Sequence, residues 1–176
     1  MNTQWTKQIG AIRSVMNTGS KTPLLLKRRE INVLQPPQVF DRDGFWKQLV
    51  GCLCSSMQRV GPNSPVIRFE SMEPFPLSLG TCEAEGDLQG YAGDQIHKAG
   101  IRFGPKISRY LYKNLNWLHD GGWSRVEEAF YRLSQMPRNA SATACIAVER
   151  DAAHLAMKLD GIGPKQSRNL WICIGA

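Results

Sequence analysis

One short string constrains this chain more than any other: Leu159-Asp160-Gly161-Ile162-Gly163-Pro164-Lys165. Gly161 and Gly163 allow a tight backbone reversal, left-handed φ included, and Pro164 suits the first turn of a new helix. Before the string, Val148, Ala152, Leu155 and Leu159 share one face of a helix expected from about Ala142 to Lys158. After it, a further helix is expected from Pro164. Two helices joined this closely form a hairpin, and Ile162 between the glycines is placed to anchor its turn in the core. Without side chains on 161 and 163, backbone N–H groups can approach a phosphate, and the positive end of the following helix dipole adds to the attraction. Lys165 and Arg168 add positive charge there. The plain alternative is a helix–turn–helix connection in which the glycines are only caps. The whole string, with its leading Leu and following Pro-Lys, favours a phosphate-binding hairpin over that alternative.

The rest of the chain reads as mainly α. Phe45, Leu49, Cys52, Leu53 and Ser56 recur at helical spacing, which predicts a helix from about Asp43 to Val60, stopped by Gly61-Pro62-Asn63. A second helix is expected from Gly104-Pro105 to about Leu118. Its apolar positions are Phe103, Ile107, Tyr110, Leu111, Leu115 and Leu118, with Arg102, Lys106, Arg109 and Lys113 roughly opposite. Ser124-Arg125-Val126-Glu127 reads as a capping box that opens a third helix ending before Pro137. Residues 61–97, rich in Pro and Gly, predict no element. Residues 1–40 read as a basic N-terminal arm, with Pro36-Pro37 as a turn, and 41–176 as a helical domain whose hairpin spans about 143–175.

Charge narrows the partner. The 176-residue chain carries a formal net charge of +7, and its cations are unevenly spread. Residues 1–40 hold Lys7, Arg13, Lys21, Lys27, Arg28 and Arg29 against Glu30 alone, and residues 97–118 hold five cations and no acid. That pattern points to a polyanion. No apolar run reaches bilayer length, and Leu24-Leu25-Leu26 is too short for a signal peptide's apolar region. The expectation is therefore a cytosolic protein, nucleoid-associated in a bacterium or nuclear in a eukaryote. The five cysteines form no Cys-x-x-Cys pair and are expected to be reduced and mostly buried. His97, His119 and His154 have no metal-site spacing, and the tryptophans are expected to be mostly core.

Leu-x-Gly-Ile-Gly-Pro-Lys resembles the helix–hairpin–helix motif of the DNA glycosylase superfamily, in the branch that includes 8-oxoguanine DNA glycosylases. The resemblance extends to Glu149–Ala153, Gly121-Gly122-Trp123, Ala99–Gly104 and Ser56–Pro65, and covers roughly residues 40–176. It implies a helical glycosylase-type domain that binds duplex DNA mainly through backbone phosphates, as a monomer, away from membranes. It implies no cofactor, there being no iron–sulfur ligand pattern, beyond a monovalent cation that the hairpin could hold. The activity implied is base excision of a damaged base, oxidised purines included, by an N-glycosylase/AP lyase that flips the base from the stack.

In the bifunctional branch a lysine just after the hairpin attacks the sugar and forms a Schiff base, and Lys165 matches that position. The chemistry needs a neutral amine. Spacing alone leaves Lys165 equally a phosphate contact; the resemblance favours the nucleophile. Gly161, Ile162, Gly163, Gln166, Arg168 and Arg102 are the expected DNA contacts, with Gln58 and Arg59 reaching towards the opposite strand. Met57 is placed to wedge into the stack or to pack in the core. The family's essential aspartate follows the second hairpin helix, whereas this sequence has no Asp or Glu after Lys165, and Asp160 precedes the turn. The expectation is a truncated glycosylase with weak or no base excision, and the competing reading is a non-catalytic DNA-binding protein.

Overall fold

The structure is a computed structural model that describes residues 39–56, 58, 61, 63–137 and 140–175. The basic segment 1–38, together with Met57 and Arg59, lies outside the described residues. The described residues are mainly helical and contain no strand.

Helix α1, Arg42–Ser55, lies at the centre. Asp41 caps it, its carboxylate accepting from the Asp43 N–H at 3.0 Å. Sequence periodicity suggested one apolar face, but 49–54 are buried without a break, as expected of a helix covered on all sides. Four helices pack around it: α2 (Pro65–Glu70), α3 (Leu79–Ala84), α5 (Gly104–Trp117) and α8 (Pro164–Cys173). Helix α4, Leu88–Lys98, lies along α5, while α6 (Trp123–Ser134) packs on α7 (Ala142–Ala156), and α7 on α8. Phe40, Phe45, Trp123, Phe130 and Trp171 form an aromatic cluster with centroid separations from 5.4 to 6.4 Å, which ties α1 to α6 and α8. The buried indoles of Trp46 and Trp171 each donate to a carbonyl, of Leu77 and Ala152 respectively, so neither leaves a buried N–H unpaired.

Three sequence expectations need correction. Helix α1 ends at Ser55, with Ser56 extended as its C-cap, short of the expected Val60. Residues 61–97 carry three helices, α2, α3 and α4. Ser64, Ser78 and Asp87 cap them, their side chains accepting from the amides of Ile67, Thr81 and Gly90. Ser124 does not open a helix either. A kinked connection, Leu118–Gly122, with non-helical backbone at Asp120 and Gly121, joins α5 to α6, which begins at Trp123 with no side-chain cap. The bend falls at Gly121, where φ is 81°.

Candidate nucleic-acid interface

The hairpin is built from α7, the turn 157–163 and α8. Ile162 is buried, and its N–H donates to the Leu159 carbonyl at 3.1 Å, so the turn closes on itself around an apolar anchor. Gly161 has φ 84°, and a Cβ there would stand 2.5 Å from Tyr110 Cδ2 and 2.7 Å from Leu53 Cδ2. Both backbone conformation and close packing therefore require glycine at 161. Gly163 differs: its φ is −95°, and a Cβ would meet no heavy atom within 4 Å. Helix α8 has no side-chain cap, and the N–H groups of Gly163, Lys165 and Gln166 have no acceptor among the described residues. These are the amides that a helix N-terminus leaves for an external acceptor.

Asn114 locks the hairpin to α5. Its amide Nδ2 donates to the Asp160 carbonyl at 3.1 Å, and its Oδ1 accepts from the Asp160 N–H at 2.6 Å. The side chain is buried, and no buried polar side-chain atom among the described residues lacks a partner. Lys113 adds an ion pair, Nζ 3.6 Å from Asp160 Oδ1. Sequence reasoning missed Asn114, yet a signal was present. It falls on the apolar side of α5 beside Leu111 and Leu115, where a polar side chain must find a partner.

An open cleft of about 970 Å³ is bordered by Gly161, Gly163, Lys165 and Gln166 of the hairpin together with Gln58 and Arg102. Ser55, Ser56, Pro65, Gly100 and Pro164 complete its lining. The structure thus brings six of the sequence-predicted site residues to one surface. Lys165 is exposed and makes no ion pair with a described residue. Gln166 is engaged within the fold, its Nε2 donating to the Cys52 carbonyl at 2.9 Å and to Ser55 Oγ at 3.1 Å. It holds α8 against the end of α1, which leaves its backbone amide as the group facing outward chemistry. Gln58 donates through Nε2 to the Cys54 carbonyl.

Arg168 does not join them. It borders a separate groove with Met157, Trp171 and residues of α6 and α7. The expectation of a shared side is not met: Lys165 lines the cleft and Arg168 the other groove, although positions three apart are neighbours on a helix. Arg59 lies outside the described residues. Arg102, also on the cleft, sits with its guanidinium 5.0 Å from the Phe103 ring centroid. Phe103 was expected on the apolar face of α5. It is instead the residue before the helix, 39% exposed, and alone among the described non-glycine residues has positive φ, 65°. That conformation is costly for a residue with a Cβ.

No aspartate or glutamate lines the cleft among the described residues. No group of three or more His, Cys, Asp or Glu among them is placed to hold a metal ion, and the three histidines are exposed and apart from the cleft. Among the described residues no helix is long and apolar enough to cross a membrane. No family model matches the chain, and searches of curated proteins and of solved structures likewise found no match.

Proposed function

We propose that this cleft binds the sugar–phosphate backbone of duplex DNA, and that the protein is a base-excision DNA N-glycosylase/AP lyase of the helix–hairpin–helix type. The observation that supports this reading is convergence. Gly161, Gly163, Lys165, Gln166, Arg102 and Gln58, separated by more than a hundred positions in sequence, border one cationic cleft beside uncapped helix amides. In the proposed reaction the Lys165 amine donates its lone pair to the sugar C1′. The C1′–N bond electrons leave with the damaged base, which takes up a proton, and the attacking amine loses one; the nitrogen lone pair then forms the C=N bond of the Schiff base as the C1′–O4′ bond breaks and O4′ takes up a proton, which opens the sugar. β-Elimination then cleaves the strand.

One observation favours a second reading, a DNA-binding protein without the chemistry. The described lining holds no carboxylate to offset positive charge developing on the sugar. Lys165→Gln separates the two. In an enzyme, strand cleavage and borohydride trapping on lesion-bearing duplex disappear while most of the affinity remains. In a binder, wild type yields no trapped adduct and the substitution only weakens affinity modestly. Failure of wild type to bind duplex DNA at low salt refutes both readings.

A further inference from the structure

We infer that the basic side of α5, carried by Lys106 and Arg109 and continuous with Arg102, is a second contact for the DNA backbone, extending the track beyond the hairpin. This rests on the DNA-binding reading above and adds residues that the cleft itself does not include.

The charges on α5 oppose the helix that carries them. Its first turn contains Lys106 and no acid, with Arg102 just before it, and its last turn contains no cation. A helix dipole favours the reverse arrangement. Arg109 and Lys113, four apart, are also like charges on neighbouring positions, which repel. Of the cations Arg102, Lys106, Arg109 and Lys113, only Lys113 pairs with a described acid, Asp160. Arg102 and Lys106 lie against the rings of Phe103 and Tyr110, 5.0 and 5.7 Å from the centroids, and Arg109 is exposed with no ion pair to a described residue. Such a cluster is unfavourable for the isolated helix and favourable only where a polyanion arrives.

Its placement selects the nucleic-acid strand already invoked. Tyr110, one turn after Lys106, packs against Gly161 of the hairpin, and Lys113, seven after Lys106, reaches Asp160. This side of α5 therefore adjoins the hairpin, and the Asn114 clamp holds the two as one body. Lys106 to Arg109 covers roughly 4.5 Å of helix, between the axial rise of one and of two nucleotides on one strand. Cations fixed at that spacing beside the hairpin match successive phosphates.

Counterion release supplies the test. Fluorescence anisotropy with the full chain and a labelled lesion-free duplex, repeated across KCl concentrations, gives the slope of log K against log salt. Each lost phosphate contact lowers its magnitude by about 0.9, so Lys106→Gln with Arg109→Gln is expected to lower it by about 2. Two comparisons accompany it. Lys106→Arg with Arg109→Lys retains both charges and is expected to retain the slope, whereas Lys47→Gln with Arg125→Gln, the same charge change away from the cleft and the basic stretch, leaves it near wild type. Wild type that binds while the first pair leaves the slope unchanged, or lowers it no more than the second pair does, overturns this inference alone. Wild type that ignores duplex at low salt overturns the underlying reading with it.

Discussion

Gly161 and Gly163 sit two residues apart in one turn, yet alanine should act on them in opposite ways. At 161 the substituted residue keeps φ near 84°, a left-handed conformation that costs about 1–2 kcal/mol for a residue with a Cβ. Its methyl would also press on Tyr110 and Leu53, at 2.5 and 2.7 Å, and overpacking of this kind costs about 1–3 kcal/mol. Together, Gly161→Ala should destabilise by about 2–5 kcal/mol. For a domain of this size that lowers the melting temperature by roughly 5–15 °C. At 163 the backbone is one that alanine readily adopts, and the methyl meets nothing within 4 Å. Stability there should hold or rise by up to about 1 kcal/mol through a less flexible unfolded chain. The same methyl stands on the lining of the cleft, so Gly163→Ala should keep the fold and lose DNA affinity. Urea unfolding paired with duplex binding at fixed salt reads both. A Gly163→Ala protein that melts as low as Gly161→Ala, or that binds duplex as well as wild type, would refute the division of labour between them.

Three further outcomes follow from the packing. Asn114→Ala leaves both polar groups of the Asp160 peptide without their partner, so a loss of about 2–3 kcal/mol is expected by urea unfolding, with DNA affinity falling as the hairpin loosens. Burial raises the pKa of Glu70, with Lys47 opposing it, so the folded state holds this proton more tightly than the unfolded chain. Stability should therefore fall as pH rises from the ordinary carboxylate range, about 4.5, through the raised value, and Glu70→Gln should flatten that decline in pH-dependent melts. The Cys52 and Cys54 thiols are pushed up to about 12 and Cys82 to about 11, burial being the first cause in each. At pH 8 all three should resist alkylation until denaturant is added, and mass mapping of native labelling at any of them would contradict the packing.

The hairpin was legible because it is written in residues with strong backbone preferences. Gly161, Gly163 and Pro164 mark the reversal, and an apolar stripe leads into it. The long helices α1, α5 and α7 were legible for the same reason, periodicity sustained over three or more turns. Helices α2 and α3 were not, since six residues are too few for a 3.6-residue period to emerge. Their serine caps, Ser64 ahead of Pro65 and Ser78 ahead of Thr81, were the available signals. Ser124 misled for a different reason. Its spacing to Glu127 satisfies a local pattern, but the chain has already re-entered helical dihedrals at Gly122, after the kink at Asp120 and Gly121, so Ser124 lies inside the helix. Within the cleft, the Gly-Pro-Lys spacing and the acid-free basic stretch 97–118 made Lys165 and Arg102 legible as candidates. They could not reveal that the Gln166 side chain turns back to Cys52 and Ser55, because that depends on where α8 meets α1.

The Asn114 clamp has a kinetic corollary. One side chain occupies both hydrogen-bonding groups of the Asp160 peptide, so the turn cannot fray without α5 releasing it. Amide exchange at Asp160 should therefore follow the opening of α5 rather than that of an ordinary surface turn. A bound strand would meet a preformed cradle, with little ordering left to do on arrival.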